Sequence, residues 1–313
     1  MNIVSQMCAI AVMFVIIYFY VSQKKIILHT SRAFVEVWIA GMLSLFFDIF
    51  SLVAIEKRDG YPLAVTNFIC KLYLLTITWV AIVAFWYICV DIFRKKELEC
   101  KWRKWLWIFG ILTDILIMVV PIKIYDSDNI VYTYGPAVLI TYAVTVTLLG
   151  LILLLTQKYR QVINSRRRKS MLVWVILMFS AAVIQFINNK LLIVGFASMI
   201  GVLVIFIMLE NPMANIDRDT GFFNLNAFFE YMKEAYGQGK DVSIVCVRYG
   251  SNGNEVFSSK MENSIFFEVV SFIKNIPDNY VFRSSANEYL LVFENIDCAE
   301  KTIGILERRF DKP

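Results

Sequence analysis

Asp48 and Lys71 are ionisable residues set inside apolar runs long enough to cross a bilayer, where charged groups are costly and mark ligand sites, ion sites or packing pairs. Asp48 lies seven residues before the end of the run 33–55, and Lys71 seven residues after the start of the run 64–93. At about 1.5 Å of rise per residue, both fall about 10 Å below the same membrane surface. An Asp48–Lys71 pair there is either an extracytoplasmic ligand or ion site or a structural pair that fixes helix packing. Asp114 lies near the middle of another apolar run with no partner evident, and water in a bundle crevice accounts for it as well as function does. Other chemistry is thinly supplied. One His in 313 residues leaves little for histidine-based metal or triad chemistry. The six Cys, at 8, 70, 89, 100, 246 and 298, have no metal-like or CxxC spacing. Most fall in apolar runs or on the side assigned below to the cytoplasm, so no disulfide framework is expected.

The elements that position these residues are predominantly apolar helices. Hydrophobic residues make up 58% of the chain and charged ones 18%, against about half and about a quarter in soluble domains, so membrane residence is expected. Seven runs reach the roughly 20 residues a helical span needs: 3–22, 33–55, 64–93, 104–122, 135–156, 170–187 and 191–209. Asn188-Asn189-Lys190 predicts a tight hairpin between the last two. The net charge of +5 is no sign of nucleic-acid binding, because the basic residues cluster in short loops between apolar runs.

Those loops set an orientation. Lys24, Lys25 and Arg32 follow the first run, Arg94 to Lys104 carries six basic residues after the third, and Lys158, Arg160 and Arg166-Arg167-Arg168-Lys169 follow the fifth. The alternate loops are balanced or poorer in net positive charge, as in Glu56-Lys57-Arg58-Asp59. The positive-inside bias predicts an external N-terminus and a cytoplasmic tail after Glu210, in the cell membrane. Basic residues follow the first run rather than precede it, the reverse of a secretory signal, so an uncleaved helix is expected there. The Trp cluster at 102, 105 and 107 fits an interfacial belt.

After Asn211-Pro212 the composition turns polar and no apolar run exceeds strand length. The pattern predicts a helix near 224–236, a strand at 242–247, a helix near 260–274, strands around 280–284 and 288–293, and a helix near 297–309. Val242-Ser243-Ile244-Val245-Cys246-Val247 reads as a strand buried in a helix-covered sheet, and Ser284–Asn287 as a tight hairpin. The domains are thus 1–210, a seven-helix transmembrane bundle, and 211–313, a cytoplasmic α/β domain.

Two segments of that tail carry a resemblance. Asp217-Arg218-Asp219-Thr220-Gly221-Phe222-Phe223-Asn224, with Phe228, resembles the D-x-L-T-G-L-x-N-R-R-x-F entry of the GGDEF (diguanylate cyclase) family at Asp217, Thr220, Gly221, Asn224 and Phe228. Asp219 stands at a usual Leu, and Leu225 and Asn226 replace the Arg pair. Further on, Arg283-Ser284-Ser285-Ala286-Asn287-Glu288-Tyr289 resembles R-x-G-G-D-E-F at Arg283 and Glu288, with Tyr289 conservative for Phe. The likeness covers roughly 211–313 and implies a cyclase-type, ferredoxin-like sheet.

The departures matter as much as the matches. Joining two GTP molecules needs divalent metal to neutralise triphosphate charge and assist the attacking hydroxyl. Where the family places metal carboxylates, this chain has Cys246, Val247 and Arg248 at the strand end and the neutral Asn287 in the motif. Ser285 and Ala286 replace the two glycines, and their Cβ atoms restrict the backbone beside a nucleotide. No metal site and no cofactor is therefore expected, with GTP and Mg²⁺ confined to any residual binding through Asn224, Arg283 and Glu288. The family's inhibitory product site, R-x-x-D, is lost, with Ile276 and Asn279 in its place and Asp278 out of register. The same residues also read structurally: Thr220, Gly221 and Asn224 as a turn and helix start, Arg283 as a surface strand residue.

The resemblance implies a membrane signalling protein of cyclic-di-GMP metabolism, a homodimer whose eroded domain dimerises or senses GTP or cyclic-di-GMP. Glu307 to Pro313 closes a helix, and the later strand that normally completes the family's sheet has no candidate; the resemblance implies that such a chain can continue into an EAL phosphodiesterase domain. The competing classes are an active diguanylate cyclase and a transporter or channel with a cytoplasmic appendage. The spans show no internal repeat and no Gly/Pro-broken helix pair of the transporter kind.

Overall fold

The apolar runs form helices where their length and lack of breakers allow. The computed structural model describes residues 3–60, 62–92, 96–127, 130–161, 163, 165–187, 193–249 and 259–310. It divides into two compact units, Met1–Asn211 and Pro212–Pro313.

The first unit contains α1 (Val4–Ser22), α2 (His29–Glu56), α3 (Leu63–Ile92), α4 (Lys96–Val119), α5 (Pro136–Lys158), α6 (Ser165–Ile187) and α7 (Val194–Ile205), the last continuing as a π-helical turn, Phe206–Glu210. Pro136 opens α5 at a position where its missing N–H is of no consequence. Six of the helices are long and apolar enough to cross a membrane: α1, α2, α3, α5, α6 and the segment Val194–Asn215. α4 covers most of the fourth predicted span, but Arg103, Lys104 and Asp114 within its apolar stretch set it apart from those six. The hairpin predicted at Asn188–Lys190 lies outside the described residues.

α2 packs along α3, and α6 along α7. Their shared core holds Phe34, Leu45, Tyr87 and Trp174, each nearly inaccessible. At Gly201 of α7 the absence of a side chain is what admits the indole of Trp174 from α6, since a Cβ there would overlap Trp174 Cδ1. Small residues that let helices approach closely are the membrane solution to packing without a hydrophobic driving force. Outward-facing apolar side chains such as Tyr18, Leu112, Leu154 and Phe186 remain exposed in numbers a water-soluble surface does not carry. Between α4 and α5 the chain makes an antiparallel hairpin, β1 (Lys123–Ser127) and β2 (Ile130–Tyr134), in register from Lys123↔Tyr134 to Ser127↔Ile130.

The second unit carries a small mixed sheet in the order β3-β5-β6-β4. β3 (Phe223–Asn224) runs parallel to β5 (Tyr280–Ser285), and β6 (Glu288–Phe293) is antiparallel to both β5 and β4 (Ser243–Arg248). The helices are α8 (Leu225–Gln238), α9 (Ser259–Lys274) and α10 (Ile296–Phe310). Strand alternation sorts the faces. Val281, Leu291 and Phe293 join Val270 and Ile273 of α9 in one cluster, while Phe282 meets Phe228 of α8 and Tyr280 meets Tyr231. Asn224 caps α8, accepting from Ala227 N at 3.0 Å, and Gly239 ends it in the left-handed conformation, φ +65°.

β4 departs from the predicted doubly covered strand. Among the described residues it is an edge strand: Val245 is buried, but Ile244 and Cys246 on the opposite face are exposed. α8 packs over β3 and β5, which accounts for the open face of β4.

Candidate functional site

The two motif segments meet at one corner of the C-terminal sheet, where Asn224 of β3 is the register partner of Arg283 in β5. The segment before β3 folds as a tight loop. Asp217 N donates to Phe222 O at 2.8 Å, Gly221 N donates to Asp217 O at 2.9 Å, and Gly221 takes the left-handed φ of +72° that a Cβ disfavours. The Asp217 carboxylate organises the loop, with Oδ1 accepting from Thr220 N at 3.1 Å and from Thr220 Oγ1 at 2.8 Å. The same oxygen accepts from Arg283 Nη1 at 2.9 Å. Arg283 also donates from Nη1 to Asp219 Oδ2 at 2.8 Å and from Nε to Ser285 O at 3.2 Å. Burial pushes the Asp217 carboxyl up, but the Thr220 and Arg283 hydrogen bonds outweigh it and hold the group below its ordinary value. Burial works against the Arg283 charge, and the Asp219 and Asp217 carboxylates more than restore it.

The chemistry of this corner is that of a lock. Two carboxylates hold one guanidinium, so the Arg283 charge is already matched within the chain rather than free for a triphosphate. Asn224 spends its amide on structure, Oδ1 on the helix cap and Nδ2 on Ala214 O at 2.9 Å.

Glu288 opens β6 after the turn at Ala286-Asn287, with Ser285↔Glu288 as the last register pair. Its Oε2 lies 3.1 Å from Arg248 Nη2 at the end of β4, and Ser284 Oγ donates to its Oε1. An arginine thus occupies the strand end where the resemblance looks for a metal carboxylate. Tyr289 is fully buried, edge-on to Phe222 and stacked on Tyr249. Burial pushes its phenol well up, so it serves as a core residue. At the positions that the resemblance aligns with an inhibitory site, Asn279 Nδ2 donates to Ile276 O at 3.0 Å, and Asp278 is a left-handed turn residue, φ +56°.

In the helical unit the predicted Asp48–Lys71 pair does not form. Lys71 Nζ donates to Met118 O at 2.6 Å, in the last turn of α4. Asp48 Oδ2 accepts instead from Gln6 Nε2 of α1 at 3.0 Å. Equal depth is not equal azimuth: Cys70, Tyr73 and Leu74 are the α3 residues that share a cavity with Asp48, and Lys71 is turned about 100° from Cys70 toward α4. That cavity, about 360 Å³, is bounded by α2, α3, β2, α5, α6 and the start of α7. Asp114 has a partner that its sequence position concealed, the Trp79 indole, which donates to Oδ2 at 2.8 Å.

A further cluster went unread in the sequence. Glu210, ending the π turn, accepts from Tyr87 Oη at 2.7 Å and from Ser31 Oγ at 3.3 Å, and faces Arg167 Nη2 at 3.7 Å. Arg167 belongs to the basic run 166–169, which loop charge alone assigns to topology, yet it is buried. The available signal was an acidic residue closing an otherwise apolar helix.

No family model matches the chain, and no curated protein matches it.

Proposed function

We propose that the chain is a membrane-anchored signalling protein of cyclic-di-GMP metabolism, whose C-terminal unit is a catalytically eroded GGDEF-like domain acting as a regulatory, dimerising module. In this reading the helical unit sits in the cell membrane with its N-terminus outside and the C-terminal unit in the cytoplasm. α4 is then the seventh crossing, packed on α3 and presenting Ile111, Leu112 and Ile115 outward. Odd parity agrees with the charge of every loop.

The observation that carries the proposal is the Arg283–Asp217 contact. It ties together the two segments that resemble the family and spends the Arg283 charge within the chain. The residues left open as nucleotide contacts, Asn224, Arg283 and Glu288, are all engaged within the chain. Relay through domain contacts therefore fits better than turnover or GTP sensing.

The test pairs two measurements on the full chain. In nanodiscs with GTP and Mg²⁺ or Mn²⁺, no cyclic-di-GMP should form. In cells, introducing the chain should still change the cyclic-di-GMP level, through partner enzymes. Turnover that disappears in Glu288→Gln would replace the relay by an active cyclase, and an unchanged cellular level would remove the link to this dinucleotide.

A further inference from the structure

We propose that the cavity beside Asp48 is a binding site for a small organic amine, a primary ammonium carried on an apolar or aromatic body. At about 360 Å³ it falls within the range of small-molecule sites. Its wall is largely apolar and aromatic, with Tyr73, Leu74, Tyr142 and Phe186. Asp48 is the one charged side chain among its described lining residues, and it is 2% exposed.

Asp48 Oδ1 and Thr145 Oγ1 are buried on this wall without a close hydrogen-bond partner, and the Tyr73 hydroxyl beside the Asp48 carboxylate is a neutral donor. The other Asp48 oxygen is held by Gln6. A carboxylate so placed is strongly unfavourable unless a cation or a proton matches it. The natural internal counter-ion, Lys71, is committed to Met118 O. Gln6 and Tyr73 are neutral donors, so the charge is left to a cation that enters the cavity, or to a proton while the cavity is empty.

An ammonium supplies the missing charge and three donors, enough for Asp48 Oδ1 and Thr145 Oγ1. The tyrosine and phenylalanine rings suit both its apolar body and the cation itself. A hard divalent ion needs six or more oxygens, and one carboxylate among hydroxyls offers too little charge for it. That the amine is the signal rests on the sensor reading above; that it binds does not.

The probe is 2-phenylethylammonium, with neutral 2-phenylethanol as its isostere, added to the full chain in nanodiscs at pH 7. The amine should raise the melting temperature at concentrations about tenfold or more below those the alcohol needs, as expected for a charge-assisted contact. Asp48→Asn should abolish that preference. Equal effects of amine and alcohol, or a preference that survives Asp48→Asn, would overturn the proposal. Should the variant fail to fold, Cys70 in the cavity wall of the wild-type chain serves as reporter, its modification read on its own peptide by mass spectrometry because Cys8, Cys100 and Cys246 are exposed. A 2-aminoethyl thiosulfonate should modify it faster than the sulfonatoethyl reagent, and 2-phenylethylammonium should protect it. Equal rates, no reaction with either, or no protection would sink the site. Amine binding without any cellular cyclic-di-GMP response would leave the site standing and remove the sensor reading. The converse result would do the reverse.

Discussion

Arg167 and Glu210 face each other at 3.7 Å with both side chains more than nine-tenths buried, joining the first turn of α6 to the last residue of the π turn that follows α7. Tyr87 and Ser31 complete the carboxylate's shell. π-helical turns inside helices occur frequently at functional positions. Removing one member of a buried pair strands the other. Arg167→Met should lower stability by about 3–5 kcal/mol, and the double variant with Glu210→Met should recover most of that loss. Unfolding midpoints of the full chain in detergent would check it. Equal losses in the single and double variants would show that the pair is not coupled.

Lys71 has a structural task distinct from the cavity. Its bond to Met118 O satisfies a carbonyl in the last turn of α4. Lys71→Met should cost about 1.5–3 kcal/mol, the range for hydrogen bonds to charged groups. It should leave the amine preference at Asp48 unchanged. Loss of that preference in Lys71→Met would put the lysine in the site.

Asp217 makes the C-terminal unit acid-sensitive. Its pKa in the folded chain lies below the ordinary carboxylate value, so its stabilisation is present above the unfolded value of about 3.9 and is lost as pH falls through the depressed folded value. The wild-type urea midpoint of this unit, read by circular dichroism in the full chain, should start to drop below about pH 5 and continue downward. Asp217→Asn should be weaker at pH 7 and flatter across that window. A variant as steep as the wild type would assign the acid response elsewhere.

Rebuilding the motif turn alone should not rebuild a cyclase. Ser285→Gly, Ala286→Gly and Asn287→Asp restore the glycines and one carboxylate, but β4 still ends at Arg248, bound to Glu288 at 3.1 Å. Cyclic-di-GMP formation from GTP should remain undetectable by mass spectrometry in the triple variant. Product in that assay would mean that one carboxylate suffices.

The elements of the C-terminal unit were legible because each helix shows its own apolar stripe and β5 and β6 are separated by a two-residue turn. Sheet order was not, and so β4 looked doubly buried when it lies at an edge. In the helices, depth could be read from residue counts, whereas azimuth depends on packing. Asp48 therefore meets Gln6, more than forty positions away in the chain, instead of Lys71 at the same level. The β1–β2 hairpin was hidden in a short segment between two apolar runs, although Ile130-Val131-Tyr132-Thr133-Tyr134 has the β-branched and aromatic character of a strand. Arg167 was masked by its neighbours, because one buried arginine in a basic run looks like the rest.

The contact between Gly201 and Trp174 also orders the history open to this chain. A side chain at 201 would arrive inside an indole ring, so no replacement there is neutral while the tryptophan stands. A smaller residue at 174 has to come first, and that step leaves a void in the helical core. Lineages descended from this sequence should therefore replace Gly201 only after Trp174 has given way to a smaller residue.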